Sequence, residues 1–147
     1  MKPLLVLLLS MPCAAAPADD AKQLVAQGRF ADAARKFQEA LAQDPKNASL
    51  HLSLGLAYQS AKSYPEAAAS LERAAELAPG KAHAFYSLGL LYEAAAGDPS
   101  LLGEQKSAQA KYWRKAREAW QRVVELAKDP KRVETAKQHL ARIAEAR

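Results

Sequence analysis

The sequence predicts an all-α protein, a solenoid of about three helical hairpins closed by one C-terminal capping helix. Three observations carry this. Leu54-Gly55 with Tyr58 recurs as Leu88-Gly89 with Tyr92, 34 residues later, and a period of that length marks two-helix units that bury their apolar faces only by stacking. Half of the 147 residues are hydrophobic but only 7% are aromatic, so alanine, the best helix former, supplies much of the apolar count. Pro45 and Pro79 stand one period apart, and proline ends a helix because it has no N–H to donate.

Taken in order, the chain opens with Lys2, a nearly unbroken apolar run from Pro3 to Met11, and a small, Ala-rich stretch from Cys13 to Ala18. That order is the pattern of a secretory signal peptide, and the apolar run is too short to span a membrane. Ala16-Pro17-Ala18 supplies an A-x-A pattern, so residues 1–18 are expected to be removed and Asp19 to begin the mature chain, with a cut after Ala15 as the second choice. A cysteine after an apolar run is also a candidate lipid anchor, but Met11-Pro12 precedes Cys13 where a small residue is wanted. Loss of Cys13, the only cysteine, leaves a chain that must be stable in an oxidising compartment by packing alone. The expected location is the bacterial periplasm, with an outer-membrane lipoprotein through Cys13 as the alternative.

The domain expected over 19–147 divides into units at about 19–47, 48–81 and 82–130, with a capping helix over 130–146. Shifted back one period, Phe30, Ala33, Phe37, Ala40 and Pro45 match Tyr64, Ala67, Leu71, Ala74 and Pro79. Small residues at Gly55, Ala67 and Ala74 let helices approach, and Tyr58, Tyr64 and Leu71 fill between them. Asn47 suits a helix N-cap, and Ser63-Tyr64-Pro65-Glu66 reads as a capping box. In the third unit Gly89 to Ala116 spans 27 residues where Gly55 to Ala67 spans 12, an insertion of 15 placed near 96–110. Gly97-Asp98-Pro99-Ser100 marks its turn, and the apolar stripe through Tyr112 or Trp113 to Ala116, Trp120 and Val123 starts the following helix early, near Glu104. Asp129-Pro130 opens the last helix, striped by Val133, Ala136, Leu140 and Ile143.

These residues resemble the tetratricopeptide repeat family, most closely in Ala48 to Pro79, where Leu54-Gly55, Tyr58, Ala67, Leu71, Ala74 and Pro79 all sit at the family's spacing. The first unit lacks the Leu-Gly pair, as an irregular capping unit would. The resemblance implies antiparallel pairs of helices, A then B, with the A helices lining a concave face where ligands lie. That face is expected to carry Ser49, Leu52, Leu56 and Gln59 from the second unit and His83, Tyr86, Leu90 and Glu93 from the third. The family's best-known mode clamps a terminal carboxylate with Lys and Asn from this face. Leu52, Leu56, Tyr86 and Leu90 stand in their place and suit a segment with hydrophobic anchors. The competing reading packs these leucines against the chain's own terminal helices.

Catalytic chemistry finds no foothold. There is no Gly-rich phosphate loop, no activated cysteine and no nucleophile elbow. The three histidines, His51, His83 and His139, lack metal-ligand spacing, so neither metal nor cofactor is expected. His51 takes a packing position and His139 a solvated one. Asn47-Ala48-Ser49 fits a glycosylation triplet but reads as a cap.

Charge is uneven. Residues 19–103 hold eight Lys/Arg against ten Asp/Glu, and residues 104–147 hold twelve against six. Lys111, Arg114, Lys115, Arg117 and Arg122 cluster beside Tyr112, Trp113 and Trp120. This is either a docking surface for an anionic lipid, cell-wall polymer or acidic protein, or a solvated face whose aromatics point inward. Nucleic acid fits the charge but not a secreted location. The function expected is an interaction scaffold in the bacterial envelope, holding a partner segment as an assembly factor or co-chaperone. The alternative is an envelope-binding protein using the basic C-terminal half.

Overall fold

The computed structural model describes residues 17–98 and 106–145. They form α1 (Pro17–Ala26), α2 (Phe30–Gln43), α3 (Ala48–Ser60), α4 (Tyr64–Leu77), α5 (Ala82–Ala96), α6 (Lys106–Leu126) and α7 (Pro130–Glu145). Each helix packs on its neighbours in the chain, so α1/α2, α3/α4 and α5/α6 are the hairpins and α7 stacks on the last. No helix among the described residues is long and apolar enough to cross a membrane. The expected signal segment lies outside the described residues except for its last two, and these fall within the described part of α1.

The first two hairpins turn in the same way. Gly28 and Lys62, one period apart, both have left-handed backbone, with φ of 73° and 59°. The next residue closes each turn: Arg29 N–H donates to Leu24 O and Ser63 N–H to Tyr58 O, both at 2.9 Å. Glycine bears that conformation freely, whereas Lys62 bears it at a cost. Asn47 is the expected cap, its Oδ1 accepting from the Ser49 and Leu50 amides at 3.1 Å each. Asp129 Oδ1 accepts from the Lys131 amide at 3.0 Å, opening α7. Ser63 departs from expectation: it precedes α4, but its side chain makes no capping bond. Its ψ of 70° lies short of the extended range, and Pro65 removes one amide that a cap could serve.

The insertion lengthens two helices. α5 has 15 residues against 13 in α3, and α6 has 21 against 14 in α4. The described part of α6 begins at Lys106, and Glu104 lies outside the described residues. Gln109 in the added turns donates to Ala96 O at 3.1 Å, fastening the extension to the end of α5.

Two apolar clusters make the core. One joins α1, α2 and α3 through Ala21, Ala33, Phe37 and Leu54. The other runs from α4 to α7 through Leu71, Leu91, Trp120 and Ile143, and Tyr58 packs against both. Close approach depends on glycine twice. A Cβ on Gly55 would stand 2.6 Å from Leu71 Cγ, and one on Gly89 only 2.5 Å from Trp120 Cε2. Leu71 and Trp120 therefore fill one repeat position, once the 15 inserted residues are counted.

Candidate functional site

The repeat projects equivalent residues of the A helices into rows. Ser49, His83 and Arg132 form one row, and Leu52, Tyr86 and Thr135 the next. Then come Lys22, Leu56, Leu90 and His139, and finally Val25, Gln59, Glu93 and Arg142. α7 thus stands where a fourth A helix would, and its Arg132, His139 and Arg142 extend the face beyond the residues assigned from sequence. Carrying the period past the insertion would have found them.

Toward the N-terminus this face is open and apolar. Val25, Leu56 and Leu90 are the large hydrophobics that remain exposed among the described residues, at 39%, 40% and 36%. A cleft of about 220 Å³ between α1 and α3 is lined by Val25, Phe30, Phe37 and Leu56, with Lys22 and Ser60 at its edge. Lys22 is held by Asp19 at 2.9 Å. Ser49 is exposed, and Gln59 and Leu52 are half-buried, Leu52 against the larger core.

Toward the C-terminus the chain fills part of the face itself. Glu93 was expected as a groove residue, but its carboxylate turns into a network with the terminal helices. It accepts from Trp120 Nε1 at 2.7 Å and lies 2.8 Å from His139 Nδ1 and 3.7 Å from Arg142. The reason is the larger ring at the Leu71 position: burying an indole requires an acceptor for its N–H. His139 was expected in solvent, yet only 13% of its side chain is exposed. Its ring stacks on Trp120 with centroids 4.1 Å apart. Tyr86 meets Trp120 edge-on at 5.1 Å. His83 stays exposed, and His51 Nε2 lies 3.0 Å from Pro45 O, a hydrogen bond added to its expected packing.

The basic residues of α6 are less free than their spacing suggested. Lys115 turns inward to Glu72 at 2.8 Å and lies over the Tyr92 ring, 5.0 Å from its centroid. Burial works to raise Glu72, but hydrogen bonds from Lys115 and Tyr92 outweigh it and hold the carboxyl below its ordinary range. Burial, then the bond to Glu72, pushes the Tyr92 phenol well up. Arg122 pairs with Glu125 and covers the Phe85 ring, and Arg114 is 3.9 Å from Glu118. Lys111 is exposed and Arg117 half-buried. Trp120 is fully buried, and Tyr112 and Trp113 pack partly against the core. The aromatics of α6 therefore point inward. Among the described residues no group of three or more His, Cys, Asp or Glu is placed to hold a metal.

Residues 19–82 match a family model described as tetratricopeptide repeat. No curated protein sequence matches the chain. Among solved structures the chain is similar to the first TPR of Spaghetti (RPAP3) bound to the HSP90 peptide SRMEEVD, at 18% identity and TM-score 0.69, over 88% of this chain and 89% of that one. It is also similar to the second TPR domain of human RPAP3 in complex with the HSP70 peptide SGPTIEEVD, at 21% identity and TM-score 0.66, over 88% and 92%. A third similar structure is the Yersinia enterocolitica type III secretion translocator chaperone SycD, at 18% identity and TM-score 0.69, over 88% and 82%. The described residues have the tetratricopeptide-type all-α fold.

Proposed function

We propose that this protein is a non-catalytic scaffold that holds a hydrophobic segment of a partner protein along the A-helix face. The observation that carries this is the placement of Val25, Leu56 and Leu90, which stay exposed on that one face while comparable side chains elsewhere are covered. Exposed apolar groups on one face are what a partner's anchors need, because each buried pair leaves water. The fold supports the reading, since the two similar RPAP3 domains hold peptides and the similar SycD protein is a chaperone. Their peptides end in acidic residues, whereas Leu52, Leu56, Tyr86 and Leu90 make this face apolar at its centre. The order of charge, apolar run and small residues in 1–18 supports export, and the role proposed there is an assembly factor or co-chaperone in the bacterial envelope.

The test begins with a photo-crosslinker at position 56 in living cells, to identify the bound segment. Leu56→Glu with Leu90→Glu should then cost at least about tenfold in affinity for that segment, since each places a charge where an anchor is buried. Circular dichroism should stay unchanged, because both side chains face solvent in the free protein. Undiminished binding by the double variant would sink the reading.

A further inference from the structure

We propose that the cleft between the start of α5 and the α6–α7 turn is a second binding site, for an acidic stretch flanking the hydrophobic anchor of the bound segment. It rests on the groove reading above and adds a chemical requirement to it. The cleft holds about 520 Å³ and is lined by Lys81, His83, Lys128 and Arg132, with Asp129 as its one acid.

Three features point to an anionic occupant. First, the side chains of Lys81, His83, Lys128 and Arg132 make no hydrogen bond or ion pair among the described residues. Some cations elsewhere find acids, as Lys22 does in Asp19 and Arg73 in Glu76, and others such as Lys46, Lys62 and Lys137 do not, but these four line one cleft together. Second, the one acid in the cleft is already engaged, because Asp129 caps α7 through the Lys131 amide. Third, the cleft lies at the first turns of both α5 and α7, where amide groups without intrahelical partners add positive potential.

Position in the repeat ties the cleft to the groove. His83 and Arg132 occupy the same row as Ser49, at the edge of the face that carries Leu56 and Leu90. A segment anchored on those leucines can therefore lay an acidic flank against this edge. A polypeptide fits better than a membrane, because the cleft adjoins the groove on which the segment is anchored. Four unpaired basic side chains thus meet at the groove's rim, whereas in the α6 cluster Lys115, Arg114 and Arg122 are engaged and Lys111 and Arg117 are left.

The test uses two amidated peptides with the same leucine-rich anchor, one with a glutamate tail and one with a glutamine tail. Amidation removes the terminal carboxylate, so any gain comes from side chains. At low salt the glutamate peptide should bind on the order of tenfold tighter, from a few partly exposed ion pairs. The gain should collapse as salt rises. It should vanish in Lys81→Gln/Lys128→Gln/Arg132→Gln and persist in Lys62→Gln/Lys111→Gln/Arg117→Gln, which removes equal charge elsewhere. Equal binding of the two peptides, or loss of the gain in the second variant alone, overturns the proposal while leaving the groove reading intact. If neither peptide binds, the groove reading falls and this one with it. Vesicles of phosphatidylglycerol provide the other arm: salt-sensitive pelleting abolished only by the first variant would assign the cleft to lipid and overturn the peptide.

Discussion

The second and third hairpins use one plan with different fillings. In both, a glycine on the A helix receives a side chain from the B helix, but Gly55 receives Leu71 and Gly89 receives Trp120. Leucine needs no hydrogen bond. The indole does, and it draws Glu93 inward, where Glu93 also meets His139 and Arg142 of the closing helix. The equivalent of Glu93 in the second hairpin, Gln59, has no such tie and stays on the face. One substitution of ring for branch thus separates a half of the molecule that leaves its A-helix face open from a half that closes part of it with α7, Leu90 remaining exposed.

The largest effect should come from removing that ring. Trp120→Ala would empty a fully buried site and strip Glu93 of a donor, at a cost of about 3–5 kcal/mol of unfolding free energy. Leu71→Ala, in the equivalent place, should cost about 2–4 kcal/mol. The sharper contrast is spatial. In Trp120→Ala, amide exchange should lose protection in α7 first, while Leu71→Ala should weaken α3 and α4 and leave α7 as protected as the remaining global stability allows. Equal loss of protection in α7 for both variants would remove the distinction between the halves.

Adding a methyl group at the two glycines probes the same contacts from the other side. Gly→Ala in a helix interior gains up to about 1 kcal/mol from propensity. At Gly55 the closest atoms are the end of a flexible leucine side chain, which can turn aside, although the Leu71 amide nitrogen at 3.2 Å limits how far the helices can adjust. At Gly89 the methyl would meet three atoms of a rigid indole within 2.9 Å. Gly89→Ala should therefore destabilise by about 1–3 kcal/mol, and Gly55→Ala by clearly less, with the gap read from urea midpoints. A larger loss at Gly55 would mean that Trp120 is the more movable partner.

The repeat register was legible because its residues are constrained by close contact. Gly55, Ala67, Tyr58 and Pro79 each have a geometric reason to recur, and together they place five helices and the insertion. The Asn47 cap was legible for the same kind of reason, since a short polar side chain before an apolar stripe has one job there. The fate of the polar groups was not. Whether Glu93 faces solvent or Trp120, and whether Lys115 is free or holds Glu72, depends on residues 27 to 46 positions away. His139 looked solvated because its own helix is charged around it. Only the indole beneath, brought by an enlarged third hairpin, accounts for its burial.

The smallest effect separates the two inter-repeat ties. Gln38 donates to the Tyr58 hydroxyl at 2.7 Å, and one period later Tyr92 donates to Glu72, which Lys115 also holds. The geometry is shared, but only the second tie carries a titratable acid. Because the folded state holds Glu72 below its ordinary range, its contribution is present above the ordinary glutamate value and is lost as pH falls through the lowered one. Glu72→Gln makes the second tie chemically like the first. At neutral pH the wild type should be more stable than this variant by less than about 1 kcal/mol, since 45% of the Glu72 side chain is exposed and water screens the pair. That margin should shrink as pH falls below the ordinary glutamate value and through the lowered one, because a protonated Glu72 no longer attracts Lys115. A margin constant across the range would show that Glu72 serves Tyr92 as a neutral acceptor, and the two interfaces would then be equivalent after all.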